Sequence, residues 1–172
     1  MSKTSDEPLV QSKPWIIPVI IAVVVAVFLV LAYALFSARV PLDHVPEDPE
    51  GPVSGQEIYA QYCQVCHGQD GKGSPGRNPP LTEEKWLEGD IPILITLGGM
   101  QGPVEIDGVR YDAMMPPLGH RLSNVEIAAV LTYVRTSFGN DLGEVAPEDV
   151  ARVRQTHDPT RGPYRADELQ NP

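Results

Sequence analysis

The sequence predicts an all-α fold that contains one short β-hairpin and follows a single N-terminal transmembrane helix. Three observations lead to this prediction. Residues 16–36 carry no charge, helix-starting capping patterns stand at Ser54 and Ser123, and glycine and proline dominate residues 68–80 between them. A chain of 172 residues has room for one ordinary domain and additional segments.

The uncharged segment 16–36, "IIPVIIAVVVAVFLVLAYALF", predicts a membrane anchor over residues 15–38. A helix that rises 1.5 Å per residue needs about 20 residues to cross a hydrocarbon core of ~30 Å. Trp15 and Tyr33 suit the two membrane interfaces. A cleaved signal peptide is the alternative, because "AYA" at 32–34 resembles a cleavage site. The apolar stretch is longer than the apolar part of a signal peptide, which usually has about 7–15 residues. This length favours a retained anchor.

The charges that flank this segment predict its orientation. Lys3 and Lys13 precede it and Arg39 follows it, and acidic residues count for little in this respect. We therefore expect residues 1–14 to be a disordered cytoplasmic N-terminus. The single-pass anchor would lie in the cytoplasmic membrane, with the rest of the chain on its periplasmic or outer side.

The part of the chain after the anchor is acidic. Residues 39–172 hold 11 of the 13 lysines and arginines but 21 of the 23 acidic residues. This balance argues against a nucleic-acid partner and suits a basic partner, a neutral membrane complex or simply a soluble surface. Residues 39–53 include "PLDHVPEDPEGPV", whose prolines and acids predict an extended tether.

We expect the compact domain to span residues 54–140, with a helix at each end. Ser54 with Glu57 and Ser123 with Glu126 both fit the capping-box pattern that starts a helix. The second helix continues through "IAAVLTYVRTSF" to a glycine, Gly139, that can close it.

Two shorter elements are predicted between these helices. The segment "DIPILITL" at 90–97 indicates a short helix that ends at Gly98 and Gly99. In "PVEIDGVRY", alternating apolar residues surround Asp107-Gly108, which is a β-hairpin signal.

The two cysteines of the chain, Cys63 and Cys66, stand beside His67. On a helix these positions share one face. Two thiols on one turn can form thioethers with the two vinyl groups of a haem, and the next imidazole can then reach the iron. Cys-x-x-Cys-His is the attachment motif of c-type haem. The motif therefore predicts one covalently attached haem c, with His67 as an iron ligand.

Other uses of the cysteine pair fit less well. Zinc usually needs four ligands, and we interpret His44, His120 and His157 as surface residues of the tether, a loop and the tail. A thioredoxin-like redox pair would need a βαβ pattern, which the sequence lacks. A structural disulfide suits an exported protein but would close a loop too short to give much entropic stabilisation.

The second axial ligand of the iron is predicted to be a methionine. "YDAMMPPLG" places Met114 and Met115 in a proline-braced loop just before the last helix. We choose Met115, with Met114 next and Met100 third, although methionines also serve as ordinary core fillers. Ligation by histidine and methionine raises the reduction potential and leaves no open site on the iron. It therefore indicates electron transfer rather than catalysis.

The segments "GQEIYAQYCQVCHGQDGKG", "NPPL" and "MPPLG…LSNVEIAAVLTYVRTSFGN" together resemble the class I cytochromes c over about 54–140. The resemblance implies the class I cytochrome c fold, in which the first and last helices cross around the haem. Gly55 and Tyr59 match the contact positions of the first helix, and Val130 and Tyr133 match those of the last.

The resemblance also implies two further contacts of the cofactor. A proline carbonyl accepts the N–H of the haem histidine in this family, and its pattern falls on Pro79, with Pro80 as the neighbouring alternative. Trp86 resembles a tryptophan that can approach a haem propionate, but a single tryptophan is more often a core residue.

The middle segment "WLEGDIPILITLGGMQGPVEIDGVRYDAMMPP" is similar to cytochrome domains attached to respiratory oxidases and periplasmic dehydrogenases. Residues 141–172 are expected to form a C-terminal extension with a short surface helix from Pro147 to about Gln155.

From these features we expect a membrane-anchored monohaem c-type cytochrome that carries single electrons in a respiratory chain. It would act as a tethered shuttle or as a subunit of a larger complex, and not as an enzyme itself. Its partners would be the membrane, through residues 16–36, and a quinol-oxidising complex, terminal oxidase or dehydrogenase. The alternative from another class is a haem sensor or enzyme with an open iron site, which would bind carbon monoxide when reduced.

Overall fold

The structure is a computed structural model that describes residues 15–37 and 45–170, and these belong to two separate units. The first unit contains helix α1 (Ile16–Ser37). Within it, Ile16–Leu35 has a mean hydropathy of 3.1 and none of its residues is buried by the protein. The helix is long and apolar enough to cross a membrane. The predictions outside the described residues concern the N-terminal segment, the first part of the tether and one histidine: 1–14, 38–44 and His44.

The second unit is mainly helical. Its helices are α2 (Gly55–Ile58), α3 (Gln64–His67), α4 (Ile91–Gly98), α5 (Asn124–Arg135), α6 (Pro147–Thr156) and α7 (Ala166–Gln170). A π-helical turn, Tyr59–Cys63, joins α2 to α3 without a break, and a 3₁₀ turn, Glu84–Trp86, precedes α4. The strands are β1 (Met100–Gln101), β2 (Val104–Ile106), β3 (Val109–Tyr111) and β4 (Tyr164–Arg165).

Both serine caps start helices where the sequence predicts them. The backbone N–H of Glu57 donates to Ser54 Oγ over 3.3 Å. At the start of α5 the capping box is complete, because Ser123 N also donates to Glu126 Oε2 over 2.8 Å. These bonds satisfy amide groups that the first turn of a helix leaves without partners.

Helix α5 ends at Arg135, earlier than the sequence predicts. Phe138 adopts a left-handed conformation with φ of 58° and so cannot continue the helix. Its ring packs 5.2 Å from that of Tyr59 and 5.7 Å from that of Tyr133, between centroids. Burial of this aromatic side chain therefore outweighs one more helical turn.

The strands form two small sheets. Strands β2 and β3 pair in antiparallel fashion around Asp107 and Gly108, whose φ angles of 51° and 74° are typical of a type I′ hairpin turn. Strand β1 pairs in parallel with β4 from the C-terminal tail. The sequence gives no indication of this second pairing.

The hydrophobic core brings α2 and α5 together and includes the tail. Gly55 lies directly against the backbone of Ala129 on α5. Val150 and Val153 of α6 are 0% and 2% exposed and belong to the same core. The compact fold therefore continues past Asn140, the predicted end of the domain, because α6 is amphipathic and buries its apolar face.

Shortening Val150 to alanine is expected to lower the free energy of unfolding by about 2 kcal/mol, since it removes two buried methyl groups and leaves a cavity. Gln155→Ala on the exposed face of α6 is the matched control and should change it by less than about 0.5 kcal/mol. Chemical denaturation followed by circular dichroism measures both. Equal effects of the two substitutions would show that the tail is only loosely attached.

Candidate functional site

The cysteine–histidine motif ends the helical run that starts at Gly55. Cys63 closes the π-helical turn and is half-buried, while Cys66 on α3 is exposed. His67 is the last residue of α3 and is 9% exposed. All three side chains line one cavity, as their spacing on a helix predicts.

The ring of His67 is held by one backbone carbonyl. His67 Nδ1 lies 3.0 Å from Pro79 O, and since a carbonyl can only accept, Nδ1 carries the proton. Burial lowers the pKa of His67, which keeps the imidazole neutral. The other nitrogen, Nε2, has no hydrogen-bond partner among the described residues. It therefore presents a free lone pair, which is what a metal ion needs from histidine.

A tight loop positions the Pro79 carbonyl. The backbone N–H of Gly73 donates to His67 O over 2.8 Å, and Ser74 N donates to Asn78 O over 2.8 Å. Gly73 has a φ of 67°, and a Cβ there would lie 2.3 Å from Asn78 O and 2.6 Å from Pro79 O. Only glycine fits a left-handed position with such a close backbone approach.

Tyr59 fixes the other side of the motif. Its hydroxyl donates to Gly68 O over 2.6 Å, and its ring packs 5.4 Å from that of Tyr133 on α5, between centroids. Burial, followed by the neighbouring Cys63, raises the pKa of Tyr59 to about 12, so the hydroxyl stays protonated and remains a donor. Tyr59 thereby connects the carbonyl of Gly68, the residue after His67, to helix α5.

The cavity wall is predominantly apolar. Most of its aliphatic side chains come from residues 81–87, from α4 and β2, and from α5 and the loop before it: Leu81, Leu87, Ile95, Val104, Ile106, Leu118, Val130, Leu131 and Val134. Trp86 also lines it and is 8% exposed. Trp86 Nε1 is a buried donor without a partner among the described residues. Such a group normally finds a partner, so its position in the wall fits a cofactor that is apolar but carries an acceptor at its edge.

The environment of Cys63 does not favour redox exchange. Burial, and then the proximity of Cys66, raise the pKa of Cys63 to about 11. Reactive redox cysteines have a lowered pKa, because the thiolate is the nucleophile. Two thiols beside a neutral imidazole, on the wall of an apolar cavity, fit a haem that is held through its vinyl groups.

All three candidate methionines line the cavity, but they differ in exposure. Met114 is 60% exposed, whereas Met100 and Met115 are half-buried. Met100 and Met115 exchange two backbone hydrogen bonds, of 3.0 and 2.8 Å. Nothing in the sequence predicts this β-bridge between Met100 and Met115.

Two other contributions to the site are not evident from the sequence. Asn140 Nδ2 donates to Leu81 O and to Val134 O, both over 2.8 Å, and so attaches the cavity wall to α5. His157, expected at the surface, is half-buried, and its Nδ1 lies 2.9 Å from Tyr164 Oη. The surface prediction is wrong for His157 because the tail packs onto the domain, whereas His120 is partly exposed in the loop before α5.

Comparisons with known proteins indicate the family to which the chain belongs. The profile of the family described as "Cytochrome C oxidase, cbb3-type, subunit III" matches residues 51–134. Cytochrome c-552 of Thermus thermophilus is 41% identical over 92 residues, which cover 50% of this chain and 69% of the relative.

Two further relatives are longer proteins. The cbb3-type cytochrome c oxidase subunit CcoP of Rubrivivax gelatinosus is 32% identical over 67% of this chain and 35% of its own length. The cytochrome c subunit of the quinone alcohol dehydrogenase of Gluconobacter oxydans is 30% identical over 62% of this chain and 23% of its own length. The chain thus spans about a third or less of these two relatives.

The family profile, over residues 51–134, covers the cysteine pair, the histidine and the loops that line the cavity. Proteins of this kind bind haem c covalently and carry electrons, alone or as subunits of oxidoreductase complexes, as the predicted motif and cofactor require. The chain belongs to the cytochrome c family.

Proposed function

We propose that this chain is a membrane-anchored monohaem cytochrome c that carries single electrons between components of a respiratory chain. Cys63 and Cys66 bind the haem, and His67 and Met115 ligate its iron. The observation that carries this proposal is the state of His67. Its ring is buried, neutral and oriented by Pro79 O, with Nε2 left free beside the two thiols. When bound, haem iron supplies a one-electron redox couple.

The rest of the site supports an electron carrier with both axial positions filled. The apolar wall excludes water from the cofactor, and Trp86 Nε1 offers one buried donor to a propionate. The contact of Gly55 with Ala129 supports the crossed first and last helices of the class I fold. Exclusion of water and a fixed ligand set limit the reorganisation that accompanies a change of charge at the iron.

Met115 is the better second ligand on two grounds. It is half-buried while Met114 is 60% exposed, and successive residues of an extended chain point to opposite sides. Its backbone N–H and C=O are also both hydrogen-bonded to the backbone of Met100, which fixes their position. A ligand on a fixed backbone has less conformational freedom to lose when it binds the metal.

Met115→Ala is expected to open one axial position of the iron. The reduced protein should then bind carbon monoxide, and the oxidised protein should lose the charge-transfer absorption of methionine-ligated haem. The reduction potential should fall by on the order of 0.1 V, within the ~0.8 V range that axial ligands control. Optical titration and redox potentiometry measure these changes.

Met114→Ala is the matched control and should leave the spectrum and the potential close to those of the wild type. If Met114→Ala opens the axial position and Met115→Ala does not, the second ligand is Met114. If the wild-type reduced protein already binds carbon monoxide as readily as the Met115→Ala variant, the iron site is open and the chain is a sensor or an enzyme.

The anchor and its orientation form the second part of the proposal. Helix α1 has the length and hydropathy to span the membrane, and relatives of this chain are subunits of a cytochrome c oxidase and of a quinone alcohol dehydrogenase. The lysines at 3 and 13 favour a cytoplasmic N-terminus, which places the haem domain in the periplasm or on the outer side. Protease added outside intact spheroplasts should therefore release a haem-containing fragment.

Purification of the chain from membranes distinguishes a tethered shuttle from a fixed subunit of a larger complex. The proteins named among the relatives are subunits of a terminal oxidase and of a quinone dehydrogenase, so either complex is a reasonable partner. The chain should be isolated from mildly solubilised membranes through a C-terminal tag, and co-purifying proteins identified by mass spectrometry. Stoichiometric partners would identify a subunit, and a single haem protein that retains its N-terminal peptide would identify a shuttle.

A further inference from the structure

The turn Gly98–Met100 connects the proposed ligand loop to the C-terminal tail. On one side, Met100 N donates to Met115 O over 3.0 Å, and Met115 N donates to Met100 O over 2.8 Å. Within residues 45–170, Met115 therefore forms a β-bridge with Met100 of this turn and with no other residue.

The approach of the ligand loop to this turn is very close. A Cβ on Gly99 would lie 2.6 Å from Met115 O and 2.9 Å from Pro117 N. Gly99 has a φ of 75°, so glycine is required there for conformation as well as for space. The backbone of Met115–Pro117 thus rests directly on the turn, and movement of the turn would move the loop.

The tail holds the turn from the opposite side. Tyr164 N donates to Gly99 O over 3.0 Å, and Met100 is the register partner of Tyr164 in the β1–β4 pair. A Cβ on Gly98 would lie 2.7 Å from both His157 Cε1 and Tyr164 Cε2. The turn is therefore packed between the tail and the ligand loop, with no free space on the tail side.

Tyr164 is itself firmly held. It is 6% exposed and packs with Trp86 and Leu169 in a small core cluster. Its hydroxyl lies 2.9 Å from His157 Nδ1, and the guanidinium of Arg161 stacks over its ring at 3.8 Å from the centroid. The side chain of Tyr164 is therefore fixed by core packing, by the stacked guanidinium of Arg161 and by the bond of its hydroxyl to His157.

We propose that the tail segment 157–165 is a clamp that positions Met115 on the iron by holding Gly98–Met100 against the ligand loop, with Tyr164 as its positioning residue. This inference rests on the proposed ligation by Met115. A surface loop opens locally with a free energy well below that of global unfolding. Dissociation of Met115 needs such an opening, and the clamp makes the opening rarer by pairing the turn from the other side.

The test measures carbon monoxide binding to the reduced holoprotein, because the gas can bind only while Met115 is off the iron. Tyr164→Ala is expected to raise the rate of carbon monoxide binding by about tenfold or more, as removal of a local restraint raises the open population. Tyr164→Phe, which loses only the hydroxyl bond to His157, should show a smaller rise of the same kind.

Val153→Ala is the matched control. Val153 is 2% exposed on α6 and lies in the larger core cluster, outside the cluster that contains Tyr164, so its truncation weakens the fold at a different place. At equal global stability, adjusted with denaturant, this variant should bind carbon monoxide within about twofold of the wild-type rate. Hydrogen exchange at the Met115 amide, measured by NMR, should accelerate in the Tyr164 variants and not in the control.

The outcomes separate the clamp from the ligand assignment. If Tyr164→Ala and Tyr164→Phe bind carbon monoxide no faster than Val153→Ala, the clamp is wrong while the ligand assignment stands. If Met115→Ala fails to open the iron to carbon monoxide, the ligand assignment fails and the clamp falls with it. Should Tyr164→Ala accumulate no holoprotein, the rate of Tyr164→Phe decides.

Discussion

Replacing Cys63 and Cys66 together by serine is expected to yield a chain that retains no haem under denaturing conditions. A serine hydroxyl does not form the thioether that a thiol forms with a vinyl group, and these two are the only cysteines of the protein. The wild-type protein should keep its haem on a denaturing gel, where peroxidase staining detects it. The double variant should give no stain at its own molecular mass.

The same substitution should strongly lower stability. A group that binds only the folded state stabilises it by about 4 kcal/mol when present at a thousand times its dissociation constant, and covalent attachment gives a still higher effective concentration. Without it, an apolar cavity lined by residues of α4, α5 and β2 is open to water. We expect a loss of about 4 kcal/mol or more, measured as the shift of the denaturation midpoint.

Val65→Ser is the matched control, since Val65 stands between the cysteines and is 85% exposed. It should keep the haem stain and nearly all of the stability. Haem that stays attached to the double variant through a denaturing gel would contradict the assignment. So would a double variant as stable as Val65→Ser.

The sequence was sufficient to predict those parts of the fold that local chemistry determines. Ser54 and Ser123 start helices because side-chain caps act within one turn, and Asp107-Gly108 forms a hairpin because few other residue pairs adopt its left-handed angles. Cysteine spacing predicts the cofactor for the same reason, since a rigid haem and a single helical turn set the distances.

Long-range contacts were beyond sequence analysis. The backbone exchange between Met100 and Met115 uses groups that every residue has, so no residue type reveals it. The burial of Val150 and the bond from His157 to Tyr164 depend on where the tail lies in the fold. A polar tail with many charges resembles a surface segment until its few apolar residues find a partner face.

The second large effect is expected at Gly55, where helices α2 and α5 touch. A Cβ there would lie 2.1 Å from Ala129 O, 2.7 Å from Ala129 C and 2.9 Å from Tyr133 Cβ. Two of these three atoms belong to the backbone of α5, so no side-chain rotation relieves the clash. Gly55→Ala therefore has to separate the helices and disturb the packing of Tyr59 on Tyr133, whose ring centroids are 5.4 Å apart.

Two opposing effects decide the sign of this substitution. Alanine favours the helical state over glycine by about 1 kcal/mol, which alone would stabilise the protein. Overpacking a tight contact costs about 1–3 kcal/mol and occasionally more, and an approach of 2.1 Å to a backbone oxygen belongs at the upper end. We expect a net loss of about 2 kcal/mol or more in the free energy of unfolding, measured by guanidinium titration of the holoprotein.

Gly162→Ala is the control, because a Cβ there meets no atom within 4 Å and the residue lacks a left-handed φ. It should keep or slightly raise the stability, by less than about 1 kcal/mol. A Gly55→Ala protein as stable as Gly162→Ala would mean that the helices do not cross this closely. Separated helices would also loosen the packing of Tyr59 on Tyr133, and since the Tyr59 hydroxyl holds Gly68 O beside His67, Gly55→Ala should weaken the haem site along with the fold. An absorption spectrum that changes in step with stability would link the contact between α2 and α5 to His67, the proposed iron ligand that follows it in the chain.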